Sequence, residues 1–273
     1  MSGTGGLHVD VQGEGAPFVL LHGFALHGGL FAPIVPALAR THRVHAVDLP
    51  GHGHSKTRAA TLGDVVEAVA AVIAPLRPPV TVLGWSLGGM VAQRLALDHP
   101  QLVHRLVLAC TTPRFVAAPG WPHVMQPQTL ARFGDELRVS YRATLLRFLT
   151  LQVQGRGEGG VTSRDVLGTL RDSLFARSVP SAATLSAALA MLADTDLRAD
   201  VARIHQPALV ITGPRDALTP PGAGEWLAQH LPNARQVSIE GAAHAPFLSH
   251  PAAFLAALHD FESDVDAPAL HRA

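Results

Sequence analysis

Cysteine is nearly absent from this 273-residue chain, with Cys110 the only one. That excludes an intramolecular disulfide and a cysteine-built zinc site. Long apolar runs are missing too. The best, Val65 to Leu76, is interrupted by Glu67 and Pro75 and falls short of a membrane span. Met1 to Gly15 contains no basic residue and no apolar stretch of a secretory signal, so the expectation is a cytoplasmic protein without membrane association. No net charge remains, with 21 basic and 21 acidic residues, so nothing global points to nucleic acid. Internal repeats at solenoid periods are also lacking. What is present is an apolar globular composition, 48% hydrophobic and 15% charged, in a length that suits one large core plus an inserted segment.

Strand and helix signals alternate along the first third. Pro17 to His22 and Arg43 to Leu49 are apolar runs stopped by Gly23 and by Pro50-Gly51. Leu62 to Ile73 has helical spacing, Pro79 to Leu83 reads as a strand, Leu87 to Asp98 as a helix and Val103 to Ala109 as a strand. This order predicts a mostly parallel sheet flanked by helices. After Thr112 the pattern changes: prolines open a stretch without strand signals. Helical spacing then runs over Asp135 to Gln152, Asp165 to Phe175 and Ala182 to Leu192, with a glycine-rich loop at Gly155 to Gly160. Alternation resumes with Pro207 to Thr212, a helix over Gly224 to Leu231, a strand over Arg235 to Ile239 and a helix over Pro251 to Glu262, with fraying from Ser263. The expected division is a core of residues 1–112 and 185–273 with a helical cap of residues 113–184. The cap is basic, with nine arginines against five acidic residues, whereas the remainder has twelve basic and sixteen acidic residues. Such a surface attracts acidic partners, unless its arginines only solvate helix faces.

Gly84-Trp85-Ser86-Leu87-Gly88 fits G-x-S-x-G, with a strand before it and a helix after it. A serine on that turn projects its hydroxyl above the sheet at a helix N-terminus, the geometry of an α/β-hydrolase nucleophile. The base and acid should follow in the order Ser, acid, His. Of sixteen histidines, His244 stands in the loop after the last strand, within Gly241-Ala242-Ala243-His244. Asp216 follows the penultimate strand and would orient that histidine; Asp194, Asp196 and Asp200 compete but precede the strand. The loop Leu21-His22-Gly23-Phe24 is expected to supply one oxyanion donor, the Phe24 N–H, and Leu87 the other. His52 and His54 lie close together, yet no second cluster with ligand spacing accompanies them, so no metal is expected.

With these residues placed, the chain closely resembles the BioH-type pimeloyl-[acyl-carrier protein] methyl ester esterases of biotin biosynthesis, from about Val19 to Phe254. The matching stretches include Asp48-Leu49-Pro50-Gly51-His52-Gly53, the elbow with Trp85, Arg147-Phe148-Leu149-Thr150-Leu151-Gln152, and Gly241 to Pro251. It departs at Phe24, where the family has Trp, and at Thr150, where Ala is usual. The resemblance implies a monomeric cytoplasmic serine esterase without cofactor, acting on a methyl ester carried by acyl carrier protein. It implies an acyl site of Phe24, Ser86, Leu87, Phe148, Leu149, Thr150, Leu151, Gln152 and His244, and carrier contacts at Arg142, Arg147 and Arg164. Carrier proteins are acidic, which gives the basic cap a purpose. Rival readings of the same residues are a general short-chain carboxylesterase, a C–C bond hydrolase, and a hydrolase-fold receptor that binds without turnover.

Overall fold

A computed structural model describes residues 6–153 and 157–266. Its strands are β1 (Val9–Gln12), β2 (Ala16–Leu21), β3 (His42–Val47), β4 (Thr81–Trp85), β5 (Arg105–Ala109), β6 (Ala208–Thr212) and β7 (Ala234–Ser238). They form one sheet in the order β1-β3-β2-β4-β5-β6-β7. Every neighbouring pair is parallel except β1 with β3. Each residue of β4, β5 and β6 is buried, because helices cover both faces of a parallel sheet and leave no solvated side. The edge strand β1 is an addition to the elements expected from sequence. Its four residues carry little apolar signal, and only pairing with β3, from Val9 opposite Val47 to Gln12 opposite Val44, defines it.

The helices are α1 (Val35–Leu38), α2 (Leu62–Ile73), α3 (Leu87–Asp98), α4 (Pro127–Val139), α5 (Tyr141–Leu151), α6 (Ser163–Ala176), α7 (Ala182–Asp194), α8 (Pro221–His230), α9 (Pro246–Ser249) and α10 (Pro251–Asp266). Helix α2 has the limits its spacing predicts, fixed by a capping box in which Thr61 and Asp64 satisfy each other's backbone N–H. The single helix expected over 135–152 is two. Helix α4 starts at Pro127, a residue tolerated in a first turn because no N–H is required there, and Ser140 (φ −138°, ψ 57°) breaks the run before α5. Helix α10 continues through Ser263 to Asp266, past the point where the sequence predicts fraying. The cap limit expected at residue 184 falls inside α7, which continues to Asp194. Of the glycine-rich loop, Gly155 and Arg156 lie outside the described residues, and Glu158–Gly160 forms a 3₁₀ turn. Among the described residues no helix is long and apolar enough to cross a membrane.

The four helices between β5 and β6 are tied to the sheet at one corner. Arg177, which follows α6, donates to both carboxylate oxygens of Asp48 at 2.8 Å and also pairs with Asp10. Asp48 is fully buried and accepts the Gly28 and His54 N–H groups as well. Burial opposes its ionisation, but the His54 N–H, Arg177 and the Gly28 N–H outweigh burial and hold the carboxyl below its usual range. His27 Nε2 lies 2.6 Å from the Ser173 carbonyl on the same helix. Arg177, one of the cap arginines that make the segment basic, is therefore spent inward.

Candidate active site

Ser86 sits between β4 and α3 at φ 55° and ψ −119°, a conformation strained for any residue with a Cβ. The neighbours make the turn possible. A Cβ on Gly84 would come within 2.3 Å of the Gly88 carbonyl oxygen, and one on Gly88 within 2.2 Å of the Leu21 carbonyl oxygen. Two bonds clamp the strained residue: its N–H donates to the Ala109 carbonyl at 3.1 Å, and the Thr111 hydroxyl donates to its carbonyl at 2.7 Å. Leu87 is the first residue of α3, so its N–H has no intrahelical acceptor.

His244 lies in the loop between β7 and α9 and is 1% exposed. Trp85, beside the serine, donates from its indole N–H to the His244 carbonyl at 2.7 Å, and the two rings lie 5.3 Å apart. Trp85 thus holds the histidine's backbone against the turn that carries Ser86. On its far side, His244 Nδ1 is 2.7 Å from Asp216 Oδ2. A carboxylate only accepts, so Nδ1 carries the proton and Nε2 is left as an acceptor. The Asp216 carboxylate is saturated with donors: Oδ1 takes the Leu218 N–H at 2.8 Å and the Thr219 N–H at 2.9 Å, and Oδ2 also takes the Thr219 hydroxyl at 2.6 Å. Among the described residues none of the competing acids bonds to the His244 ring. Asp196 pairs with Arg114 and Arg198, Asp200 pairs with Arg203, and Asp194 ends α7. Thr219 joins the site without having been singled out by sequence; it lies three residues beyond Asp216, where an ST-type turn contact is the available signal.

The ligand atoms of Cys110, Asp216 and His244 lie within 4.8 Å of one another. Burial, with Asp216 adding to it, pushes the Cys110 thiol well above its usual range, and Sγ donates to the Ala243 carbonyl at 3.7 Å. A protonated thiol is a poor metal ligand. His52 is buried with Nδ1 2.9 Å from the Pro50 carbonyl, while the His54 backbone N–H donates to Asp48.

The loop carrying Phe24 lies against the serine, since a Cβ on Gly23 would stand 3.1 Å from Ser86 Cβ. His22 fixes this loop from behind. Its Nε2 accepts the Leu49 N–H at 2.9 Å, which leaves Nδ1 to donate to the Gly23 carbonyl at 2.8 Å. In a trans peptide the N–H points opposite the carbonyl, so holding the Gly23 carbonyl aims the Phe24 N–H away from His22. Burial, then the neighbouring His52, pushes His22 down to about 3, and burial pushes His52 down to about 4. Both rings fold neutral, while in the unfolded chain they gain protons near pH 6.5. The unfolded state then binds more protons, and stability falls as pH drops from about 6.5 toward the folded values. The expected loss between pH 7 and pH 4 is roughly 3 kcal/mol per histidine. Denaturant titrations across that range check it, and a flat profile down to pH 4.5 contradicts it.

A cavity of about 90 Å³ opens on Ser86. Its walls are Phe24 from the core loop, Phe115 and Met125 from the segment before α4, Thr129, Leu130 and Phe133 from α4, Phe148 and Leu151 from α5, Leu189 and Leu192 from α7, and Leu218. Phe24, Phe133 and Phe148 form a three-ring cluster with centroids 5.3–6.0 Å apart. Of the acyl residues expected on α5, only Phe148 and Leu151 line this space. Leu149 and Gln152 are buried within the helices, and Thr150 is exposed with its hydroxyl on the Arg147 carbonyl. A helix turns 100° per residue, so five consecutive side chains cannot share one face, whereas positions three apart can. Thr129, Leu130 and Phe133 carry the same three-and-four spacing on α4, a signal present in the sequence but hidden by the proline-rich context.

Arg142, Arg147 and Arg164 are all exposed on α5 and α6. Arg142 stacks 4.2 Å from the Phe175 ring centroid, and Arg147 donates to Glu136 at 2.7 Å. Several other cap arginines are paired locally, Arg138 with Asp135 and Arg171 with Asp172 among them, so the net positive count is concentrated on few side chains.

The α/β-hydrolase fold family matches residues 16–251. A pimeloyl-[acyl-carrier protein] methyl ester esterase of Nitrosomonas europaea is 44% identical over 250 residues, covering 91% of this chain and 96% of that protein. One of the same name from Chromobacterium violaceum is 43% identical over 252 residues, covering 92% and 96%. Among solved structures, a hydrolase from Pseudomonas aeruginosa PA01 superposes with a TM-score of 0.79 at 30% identity, covering 96% of this chain and 94% of its own. An esterase from Exiguobacterium antarcticum shares the fold, with a TM-score of 0.81 at 24% identity and coverage of 95% and 94%. The chain belongs to the α/β-hydrolase fold family and, within it, to the pimeloyl-[acyl-carrier protein] methyl ester esterases.

Proposed function

We propose that this protein is a serine carboxylesterase that hydrolyses the methyl ester of a pimeloyl chain held on acyl carrier protein, releasing methanol and a free carboxylate for biotin synthesis. The observation that carries this reading is the buried Asp216–His244 pair, pinned by Trp85 beside a strained Ser86 that opens on an apolar cavity. The helices from α4 to α7 act as the cap. Ser86 attacks the ester carbonyl as His244 Nε2 takes its proton, and Asp216 stabilises the imidazolium. The oxyanion develops between the N–H groups of Phe24 and Leu87, each worth about 3 kcal/mol to the transition state. His244 returns the proton to the leaving methoxide, then activates water against the acyl-enzyme. No cofactor or metal takes part. The acyl chain lies along Phe148 and Leu151 within the three-ring cluster, where apolar walls suit its methylenes. The enzyme works as a cytoplasmic monomer.

Arg142 and Arg164 form the docking surface for the acidic carrier, with Arg147 shared with Glu136. Replacing Arg142 and Arg164 together by Glu is expected to lower kcat/KM on the carrier-linked ester by about tenfold or more, mainly through association, and to leave cleavage of free nitrophenyl esters unchanged. Equal rates on the carrier-linked ester before and after charge reversal contradict the docking surface.

A further inference from the structure

A cavity larger than the one at Ser86 lies among the cap helices. A groove of about 540 Å³ runs between α4 and α7. Leu130 and Leu189 belong to its wall and also to the wall of the cavity on the serine, so the two spaces stand back to back across those two side chains. The helices come close there: a Cβ on Gly134 would lie 3.4 Å from Leu189 Cδ1. Small residues, Ala131 on α4 and Ala190 on α7, keep the rest of the groove open. Its rim carries Arg114 and Arg138 against Asp135 and Asp194; Arg138 pairs with Asp135, and Arg114 pairs with Asp196 at 2.9 Å. An acidic protein finds no uncompensated cation on that rim, unlike the face of α5 that presents Arg142.

We propose that the α4–α7 groove is a second way to Ser86, taken by small uncharged esters free in solution, with Leu130 and Leu189 as its door. The proposal rests on the reading of Ser86 as nucleophile. Three features select this occupant. The groove adjoins the serine cavity across two leucines, its lining is mostly apolar, and the cations on its rim are already paired while Asp194 adds a negative charge, which favours an uncharged ester over a carboxylate. Opening requires the Leu130 and Leu189 side chains to change rotamer. The protein would then have two substrate classes reaching one serine from different sides, carrier-linked chains past α5 and free esters between α4 and α7.

Filling the groove separates the two routes. Ala190→Trp and Ala131→Trp each place a large ring in it from an exposed position, outside the residues that line the serine cavity. Either variant is expected to lower kcat/KM for p-nitrophenyl butyrate by about tenfold through KM, with methanol release from the carrier-linked ester within about twofold of wild type. Labelling of Ser86 by a small uncharged organophosphate should slow in parallel, a readout that needs no assumption about the natural substrate. Unchanged nitrophenyl ester kinetics and unchanged labelling in both variants overturn the second route. Equal losses on both substrates overturn it as well, because they place the damage in the shared site. If Ser86→Ala still turns over ester, the underlying reading of the nucleophile fails instead, whatever the groove variants do.

Discussion

Ser86→Ala is expected to reduce ester turnover by about 10⁶-fold while the protein unfolds at the same denaturant concentration as wild type. The fold should not notice the change. The backbone bonds that clamp residue 86, from its N–H to Ala109 and from Thr111 to its carbonyl, involve no side-chain atom of the serine. Alanine keeps the Cβ, so the strain at φ 55° is the same in both proteins. What disappears is the hydroxyl oxygen that, on the proposed mechanism, forms the acyl-enzyme. The residual rate would come from the oxyanion donors and the cavity, which still bind and polarise the ester. Activity within tenfold of wild type would mean that another group attacks.

Asp216→Asn is expected to lower kcat by about 10⁴-fold with little change in KM. The argument is one of proton placement. The new side-chain amide could keep its carbonyl oxygen on the N–H groups of Leu218 and Thr219, which leaves its NH₂ facing His244 Nδ1. A donor there forces Nδ1 to accept, so the imidazole proton moves to Nε2 and the ring can no longer take one from Ser86. Steady-state kinetics on a free nitrophenyl ester suffice for this test. A loss below tenfold would show that Thr219, whose hydroxyl lies 3.4 Å from Nδ1, orients the histidine unaided.

Ser86 and Asp216 are legible in the sequence because each stands at or just beyond the end of a strand. The signals for β4 and β6 are local apolar runs, and the loop at each strand's end then names a short list of side chains. The limits of α2 and α3 are legible for the same reason, through spacing and flanking turn residues. Strand β1 is not, because four residues with Val11 half in solvent gain their identity only from β3, some 35 residues away. The cavity wall is legible only in part. Phe115, Leu130, Leu189 and Leu218 come from four segments, and no periodicity within one segment announces that they meet. On α5 the discrepancy at Leu149 and Thr150 has a geometric cause: they share a sequence stretch with Phe148 and Leu151 but not a helix face, while Gln152 caps the helix and is buried outside the cavity wall. Counting charges also misplaces Arg177, whose guanidinium is turned onto buried Asp48 rather than toward a partner.

The central claim is that the Ser86 site acts on a methyl ester presented by a carrier protein. The most direct measurement is methanol release by the wild-type enzyme from pimeloyl methyl ester attached to acyl carrier protein, with p-nitrophenyl butyrate as a parallel substrate. The account predicts one methanol per ester, a free carboxylate on the carrier-linked chain, and a higher kcat/KM than for the nitrophenyl ester. A folded enzyme that cleaves the nitrophenyl ester and releases no methanol from the carrier-linked one would contradict it, leaving a general carboxylesterase in its place.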